Sequence, residues 1–359
     1  MIGMRELLEE MVAQGASDLH VTAGLPPQFR IDGRIANSNF PALDGDDTRR
    51  LAYSILNDEQ KKRFENEKEL DFSFGVQGVS RFRANVYQQR GVTSMAIRKI
   101  PYDIHSFEDL GLPKICRELI ERQNGLILVT GPTGSGKSTT LATMIDTINS
   151  TRNGHIITIE DPIEYVHQHK NCIINQREVN QDTKSFPAAL KYVLRQDPDV
   201  ILIGEMRDRE TIEAALTIAE TGHLALATLH TNSTYESINR IIDVFPAEQQ
   251  NQVRSQLSFS LAGVLTQQLI PRSRGNGRVL ALEIMVCTPG IKAMIRDGKT
   301  HQIYGQMQAG QKYGMQTMNQ SLAQAVLNKW ITRDEALGRS ADPTELVQML
   351  GEPLGVHSR

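Results

Sequence analysis

The chain has 359 residues, of which 40% are hydrophobic and 23% are charged, values typical of a globular protein with two domains. The net charge of −3 and the aromatic content of 5% argue against a surface that binds nucleic acid directly. The three cysteines form no CxxC pair, which argues against a structural zinc site and a disulfide framework and favours a reducing, cytoplasmic compartment. The sequence shows neither a signal-peptide pattern nor an apolar run of about 18 residues, so we expect contact with a membrane only through a partner.

The N-terminal part of the chain predicts a small α+β domain. Periodic apolar residues or dense charge predict helices over residues 4–13, 46–57 and 58–68. Short alternating segments bounded by Gly and Pro predict strands over residues 17–22, 28–32, 70–74, 80–88 and 92–98. The last three strands follow one another as in an antiparallel meander. We place this domain at residues 1–99 and an irregular linker at residues 100–113.

Beyond residue 113 the pattern changes to that of an α/β domain. Continuous apolar runs predict strands buried on both faces at residues 126–130, 156–159, 200–203 and 224–228. Predicted helices separate them at residues 137–150, 186–196 and 209–220, and Gly222 is a C-cap candidate. This alternation predicts a doubly wound parallel sheet. From residue 246 we expect mainly helix, over residues 249–268, 318–328 and 333–338, and we assign residues 114–359 to this domain.

A phosphate-binding loop is the most specific motif in the sequence. Residues 131–138 fit G-x-x-x-x-G-K-[ST] and lie between a predicted strand and a predicted helix, as such a loop requires. Its glycines allow backbone N–H groups to surround phosphate oxygens at a helix N-terminus. We expect Lys137 to reach the β- and γ-phosphates of ATP and Ser138 to bind Mg²⁺. The predicted nucleotide-binding residues are Gly131, Pro132, Thr133, Gly134, Ser135, Gly136, Lys137, Ser138 and Thr139.

A single carboxylate follows the predicted strand at residues 200–203. Gly204 occupies the place of the usual first acid of a Walker B motif, and Glu205 comes next. We therefore predict that Glu205 holds the magnesium ion through water. A solvent-facing acid at a strand end is the alternative.

Three carboxylates follow the strand at residues 156–159, namely Glu160, Asp161 and Glu164. Clustered carboxylates repel one another unless a cation or a proton relieves them. We predict Glu164 as the general base for the attacking water, with Glu160 and Asp161 organising metal and water. The alternative is an acidic turn that contains Pro162.

Two histidines bracket the strand at residues 224–228. His223 and His230 are seven residues apart, which does not match a helical zinc pair. His230 follows the carboxyl end of the strand, where ligands of α/β proteins bind, and we predict that it senses the γ-phosphate. His223 either contacts a neighbouring subunit or packs within its own.

Two arginines, Arg81 and Arg83, alternate along a predicted strand and so lie on one of its faces. From the residues alone a solvated sheet surface is the commoner case. Arginine fingers that reach a nucleotide are the alternative.

Together these motifs resemble the secretion ATPase superfamily of ring motors, most closely its twitching-motility branch. The resemblance covers nearly the whole chain and, besides the phosphate loop, is carried by residues 16–20, 159–164 (the Asp box), 204–205 (an atypical Walker B), 221–232 (the His box) and 267–272. It implies a PAS-like N-terminal domain and a RecA-like ATPase domain, assembled as a homo-hexamer. It also implies that ATP lies between the two domains of a subunit and that Arg81 and Arg83 contribute to that site. The implied activity is ATP hydrolysis that turns an inner-membrane platform protein of the pilus machinery, from the cytoplasmic face, so that a type IV pilus retracts.

The chain departs from the retraction branch in one segment. Where that branch carries an Ala-Ile-Arg-Asn-Leu element, this sequence has Gly290 to Arg296, which leaves the docking partner open. Against a pilus-assembly or type II secretion ATPase, the chain lacks a long N-terminal extension and a paired CxxC zinc site. A monomeric P-loop phosphotransferase and a RecA-like nucleic-acid translocase are further alternatives, which oligomeric state and stimulation by nucleic acid would distinguish. We predict the retraction motor.

Overall fold

The computed structural model describes residues 2–31 and 33–351 and divides into two compact units. The first unit contains the residues up to Asp103 together with Pro162–Val166, and the second contains Ile104–Asp161 and the residues from His167 onward. The predicted end of a strand at Asp32 lies outside the described residues. The predicted domain limits at residues 99 and 114 stay a prediction.

The first unit is an antiparallel sheet with helices, which confirms the predicted α+β class. Its strands are β1 (Asp18–Val21), β2 (Gln28–Ile31), β3 (Arg34–Asn37), β4 (Glu69–Val76), β5 (Ser80–Gln89) and β6 (Val92–Ile100). They pair in the order β3-β2-β1-β6-β5-β4. The helices are α1 (Met4–Ala13), α2 (Gly45–Tyr53) and α3 (Asp58–Glu67). Strand β3 was not predicted, because its residues are all exposed and leave no apolar alternation.

Residue spacing explains why these elements form and which face each one buries. Helix α1 buries four residues spaced three and four apart, Met4, Leu7, Leu8 and Met11. Along β5 the alternation buries Phe82 and Ala84 and leaves Arg81 and Arg83 on the opposite face, as predicted.

The second unit is built on a seven-stranded sheet. Its strands are β7 (Gly125–Thr130), β8 (His155–Glu160), β9 (Ile173–Glu178), β10 (Val200–Ile203), β11 (Leu224–Leu229), β12 (Leu261–Pro271) and β13 (Arg278–Val286). The order is β13-β12-β7-β11-β10-β8-β9, and every pair is parallel except β12 with β13. The carboxyl ends of β7, β11, β10 and β8 therefore meet at one edge of the sheet, where α/β proteins bind their ligands.

The helices of the second unit begin before its first strand and continue beyond its last strand. They are α4 (Phe107–Leu110), α5 (Lys114–Ile120), α6 (Lys137–Thr151), α7 (Phe186–Val193), α8 (Arg209–Glu220), α9 (Thr234–Asp243), α10 (Ala247–Ser260), α11 (Pro289–Arg296), α12 (Ile303–Gln308), α13 (Met318–Leu327), α14 (Arg333–Arg339) and α15 (Pro343–Met349). Helix α4 lies within the segment predicted as an irregular linker. Among the described residues, no helix is both long and apolar enough to cross a bilayer.

The predicted helix over residues 249–268 is wrong beyond Ser260, where the chain enters β12. Strand β12 lies between β7 and β13 and is buried on both faces, so its apolar residues show no alternation that separates a strand from a helix. Gly263 allows this close packing, since a Cβ there would lie 3.0 Å from both Leu119 Cδ1 and the Met285 carbonyl oxygen. The expectation of mainly helix beyond residue 246 is corrected accordingly.

A buried carboxylate joins β13 to two helices. Glu283 is 4% exposed, and its two oxygens accept hydrogen bonds from the backbone N–H groups of Thr234, at 2.7 Å, and Met318, at 3.3 Å. These residues begin α9 and α13, whose N-terminal dipoles favour a negative group. Burial nevertheless raises the pKa of Glu283 above its ordinary value, against these hydrogen bonds.

Candidate functional site

The phosphate loop connects β7 to α6 and depends on glycine. Gly131, Gly134 and Gly136 have φ values of 136°, 80° and 90°, a region that other residues rarely adopt. Gly131 is the most restricted, because an added Cβ would collide with the Gln267 carbonyl oxygen and lie 2.7 Å from Ser135 Oγ. The loop therefore turns as tightly as a phosphate cradle requires.

Lys137 lies over this loop. Its side chain is buried, and Nζ donates hydrogen bonds to the carbonyl oxygens of Gly131, at 2.8 Å, and Pro132, at 3.1 Å. The first N–H groups of α6 have no acceptors within the helix, and the helix dipole makes this end electropositive. An ammonium group and a helix N-terminus at one loop form a site for the phosphates of a nucleotide.

The residues of the loop fit a nucleotide with a magnesium ion. Ser135 Oγ is buried and has no hydrogen-bond partner among the described residues, which leaves a donor for a phosphate oxygen. Ser138, the second residue of α6, offers a hydroxyl oxygen, and Glu205 offers a carboxylate. Both are hard oxygen ligands of the kind magnesium prefers.

The strand before the Walker B carboxylate packs closely against β8 at Gly204. The Gly204 N–H donates to the Ile159 carbonyl oxygen at 2.8 Å. A Cβ at this position would lie 3.1 Å from that oxygen and 3.2 Å from Glu160 Cα. This packing of β10 against β8 gives a physical reason for the atypical glycine.

Glu205 is held between two basic side chains. Its Oε1 lies 2.5 Å from Arg207 Nε and 3.3 Å from His230 Nε2, and the carboxylate side chain is 20% exposed. Burial by itself would raise the pKa of Glu205, but the hydrogen bond from Arg207 and the charges of His230 and Arg207 outweigh it and lower that pKa. The carboxylate is thereby kept ionised, as a group that holds a cation must be.

The histidines lie at opposite ends of β11, as predicted. His230 follows the carboxyl end and contacts Glu205. His223 precedes the strand, where its Nδ1 lies 3.2 Å from Thr221 Oγ1 and 3.3 Å from the Ile218 carbonyl oxygen. His223 thus makes local contacts within its own unit, and its role stays a prediction with the two alternatives given above.

The three carboxylates at the end of β8 and just beyond it have different surroundings. Glu160 Oε1 accepts hydrogen bonds from Thr158 Oγ1 at 2.6 Å and Gln176 Nε2 at 3.2 Å. Asp161 adds negative charge near Arg207, whose pKa is raised chiefly by its hydrogen bond to Glu205. Glu164 is exposed and belongs to the segment Pro162–Val166, which groups with the first unit.

The two arginines of β5 also lie in the first unit. Arg81 Nη2 donates to Ser73 Oγ at 2.7 Å, and Arg83 binds both carboxylate oxygens of Asp71 on the neighbouring strand. The Arg83–Asp71 pair is about half exposed, so it adds little to stability. The predicted role of these arginines at a nucleotide stays a prediction.

Comparison with known proteins identifies the family. A family model described as Type II/IV secretion system protein matches residues 2–275. The chain belongs to this family. It is 50% identical over 338 residues to the type IV pilus retraction ATPase PilT of Pseudomonas aeruginosa, covering 94% of this chain and 98% of that protein.

Two further comparisons agree. The secretion ATPase is 46% identical over 339 residues to the twitching motility protein of Neisseria gonorrhoeae, covering 94% of this chain and 90% of that protein. The crystal structure of the pilus retraction motor PilT with bound ADP has a TM-score of 0.91 at 52% identity, covering 97% of this chain and 100% of that chain. The predicted family and fold class are confirmed, and the chain is a P-loop ATPase.

Strand β12 supplies site residues of this secretion ATPase that the predicted helix misplaced. Gln267 is fully buried, its carbonyl oxygen faces Gly131, and its Nε2 donates to Thr140 Oγ1 on α6 at 3.0 Å. Next to it, the hydroxyl groups of Thr266 and Thr130 lie 2.7 Å apart. The resemblance of residues 267–272 to a family signature is the sequence signal that marks Gln267 as a candidate site residue.

Proposed function

We propose that this chain is the ATP-hydrolysing subunit of a homo-hexameric motor that powers type IV pilus retraction at the cytoplasmic face of the inner membrane. Similarity over nearly the full length to retraction and twitching proteins supports the motor. The phosphate loop supports ATP as the substrate of this motor, because the Lys137 ammonium group lies at the loop, where phosphates bind. The hexamer, the platform protein of the inner membrane and the location are parts of this proposal.

Within this proposal, the loop residues Gly131 to Thr139 bind ATP, and Ser138 and Glu205 hold Mg²⁺. The metal ion would neutralise negative charge on the phosphates. Lys137 binds the β- and γ-phosphates, and His230 adjoins Glu205 as a sensor of the γ-phosphate.

The remaining roles concern water and charge. Glu164 accepts the proton of the attacking water, and Glu160 and Asp161 orient the groups around it. Arg81 and Arg83 supply cationic groups that offset developing charge. None of these roles requires a nucleic acid, and none involves a direct membrane contact.

The alternatives receive less support. A pilus-assembly or type II secretion ATPase and a RecA-like translocase share the phosphate loop. However, the relatives that match at 46% and 50% identity over 94% of the chain are named for twitching motility and pilus retraction. The helix α11 contains the departure at Gly290 to Arg296, where Ile291 and Ile295 are buried and Arg296 is exposed. That exposed surface is where a different docking partner would be recognised.

Three measurements test the proposal. Size-exclusion chromatography with light scattering on the full chain should show a hexamer with ATP, and ATPase activity should be unchanged by added DNA or RNA. Deletion of the gene should leave cells with pili but without twitching, and the wild-type chain should restore movement. A protein that stays monomeric with ATP, or whose turnover rises with nucleic acid, would refute the motor.

A further inference from the structure

Gln176 occupies a central position on β9. In the parallel pairing of β8 and β9, Gln176 lies level with Thr158. Its side-chain amide makes two different hydrogen bonds: Nε2 donates to Glu160 Oε1 at 3.2 Å, and Oε1 accepts from the His167 backbone N–H at 2.8 Å. A single side chain therefore joins Glu160, at the end of β8, to His167.

These two residues are the ends of the loop that carries the predicted base. Residues 161–166 connect Glu160 to His167 and include Glu164. At the outgoing end, Thr158 Oγ1 fixes the same carboxylate oxygen that Gln176 binds. Because one amide holds both of its ends, the loop that carries Glu164 is fixed at its two termini.

The C-terminal end of this loop is held by a second contact, one residue beyond His167. Asn149 is fully buried, and its Nδ2 donates to the Gln168 carbonyl oxygen at 2.7 Å. Burial lowers the pKa of the neighbouring His167 to about 4, so this imidazole is neutral at physiological pH and adds no charge beside the amide. The His167 end of the loop is thus held by two neutral amides, Gln176 at the His167 N–H and Asn149 at the Gln168 carbonyl.

We propose that Gln176 is a positioning residue for ATP hydrolysis, which fixes both ends of the Glu164 loop and orients the Glu160 carboxylate. The proposal rests on the roles given above to Glu164 and Glu160. The chemistry requires an amide, because one group must donate to a carboxylate and accept from an N–H at the same time. A carboxylate at position 176 would repel Glu160, and an apolar side chain would remove one hydrogen bond from Glu160 and the acceptor of the His167 N–H.

Replacement of the amide tests the proposal in the full-length protein. Gln176→Leu should lower kcat for ATP by about 10²-fold, the order expected for a misplaced catalytic group, while KM changes by less than about twofold. Asn175→Ala is the matched control. Asn175 neighbours Gln176 on β9, and its Nδ2 contacts His155 Nε2 at 2.8 Å on the other face of the strand. This variant should keep the wild-type kcat.

Two further measurements separate positioning from simple destabilisation. In a Glu160→Gln background, Gln176→Leu should cost less in kcat than it does in the wild type, because part of its effect acts through that carboxylate. Gln176→Glu should be inactive at neutral pH and should recover part of its activity at lower pH, since protonation of one carboxyl removes the repulsion.

Different results would contradict the role of Gln176 and the role of Glu164. A wild-type kcat for Gln176→Leu below its melting temperature, full additivity with Glu160→Gln, or a loss confined to KM would overturn the role of Gln176. Normal turnover by Glu164→Gln would instead refute the base assignment of the proposed function, independently of the Gln176 variants. If Gln176→Leu does not fold, the pH response of Gln176→Glu decides.

Discussion

The carboxylate of Glu205 lies 3.3 Å from Nε2 of His230, although 25 residues separate them in sequence. The pair forms because the two residues follow neighbouring parallel strands, with Ile203 of β10 level with Ala227 of β11. Arg207 binds the same carboxylate oxygen from the loop beyond. The parallel register thus brings the predicted magnesium carboxylate and the predicted phosphate sensor together.

Arg207→Ala should shift the pH dependence of ATP hydrolysis. The hydrogen bond and charge of Arg207 help to lower the pKa of Glu205 against the effect of burial. Without them that pKa rises, so the carboxylate becomes protonated at a higher pH and loses its affinity for a cation. We expect the acid limb of kcat/KM to move to higher pH, measured by phosphate release between about pH 5 and 8.

Arg209→Ala is the control for that shift. Arg209 is exposed, its guanidinium contacts Gln249 Oε1 at 2.9 Å, and it lies two residues from Arg207. The acid limb of kcat/KM for Arg209→Ala should coincide with that of the wild type. An unchanged limb in Arg207→Ala would show that ionised Glu205 is not required.

Gly204→Ala should destabilise the second unit. The added methyl group would press on the Ile159 carbonyl oxygen and on Glu160 Cα, at 3.1 and 3.2 Å, and these backbone atoms belong to a buried parallel strand. Overpacking of this kind costs about 1–3 kcal/mol. The melting temperature should therefore fall by several degrees, at about 2–4 °C per kcal/mol, in differential scanning calorimetry.

Gly305→Ala is the control for Gly204→Ala, and it should not destabilise the protein. Gly305 is an exposed residue of α12, and a Cβ there would meet nothing within 4 Å. Alanine favours a helix over glycine, so this variant should be as stable as the wild type or more stable by up to about 1 kcal/mol. Equal melting temperatures for the two variants would contradict the packing explanation for Gly204.

Glu283→Gln should change how stability depends on pH. Because burial raises the pKa of Glu283 above its ordinary 4.5, the folded protein binds more protons than the unfolded one, and the free energy of unfolding falls as pH rises from that value through the raised pKa. Glutamine cannot titrate, and it leaves one of two N–H donors without an oxygen, at a cost of about 1–3 kcal/mol.

The difference in stability between wild type and Glu283→Gln should therefore be larger at pH 5 than at pH 8, measured by urea unfolding. Glu213→Gln is the control, since Glu213 is an exposed residue of α8. Its difference from the wild type should be the same at both pH values. If the difference in the free energy of unfolding between the wild type and Glu283→Gln grew with pH, the carboxylate would be stabilised in its ionised form.

Most of the α/β architecture could be predicted because its signals are local. Strand β10 and helix α8 have the predicted limits, since a short apolar run buried on both faces and an amphipathic segment are each legible in sequence. The phosphate loop could be recognised from the sequence for the same reason, because it needs glycines at fixed spacing. Strand β12 could not be predicted in this way, because it is buried on both faces and its parallel partner β7 is distant in the chain.

The candidate site was predicted less fully than the fold. Glu205 and His230 were each found at a strand end, but only the register of β10 and β11 shows that they touch. The glycine at position 204 seemed a departure from a motif, and its reason lies in the close approach of β8. Gln176 gave no signal at all, since a glutamine on a strand usually faces solvent.

Glu164→Gln should separate binding of ATP from its hydrolysis. Glutamine has nearly the same size as glutamate, and residue 164 is exposed, so folding should be unaffected. A general base contributes about 10²–10⁴-fold to a rate, and an amide cannot accept the proton of water. We expect kcat to fall by that factor while the Kd for ATP stays within about twofold, measured with a fluorescent nucleotide.

Lys137→Ala should give the converse result, and the contrast makes the assignment of Glu164 testable. Loss of an ammonium that binds phosphate costs about 2 kcal/mol, so the Kd for ATP should rise roughly 30-fold. Glu210→Gln, on the exposed surface of α8, should change neither quantity. If Glu164→Gln hydrolysed ATP at the normal rate, the base would have to be sought elsewhere. Glu160 would then be the first residue to replace, because it lies on β8 at the carboxyl-terminal edge of the sheet, beside the strand that leads to Glu205.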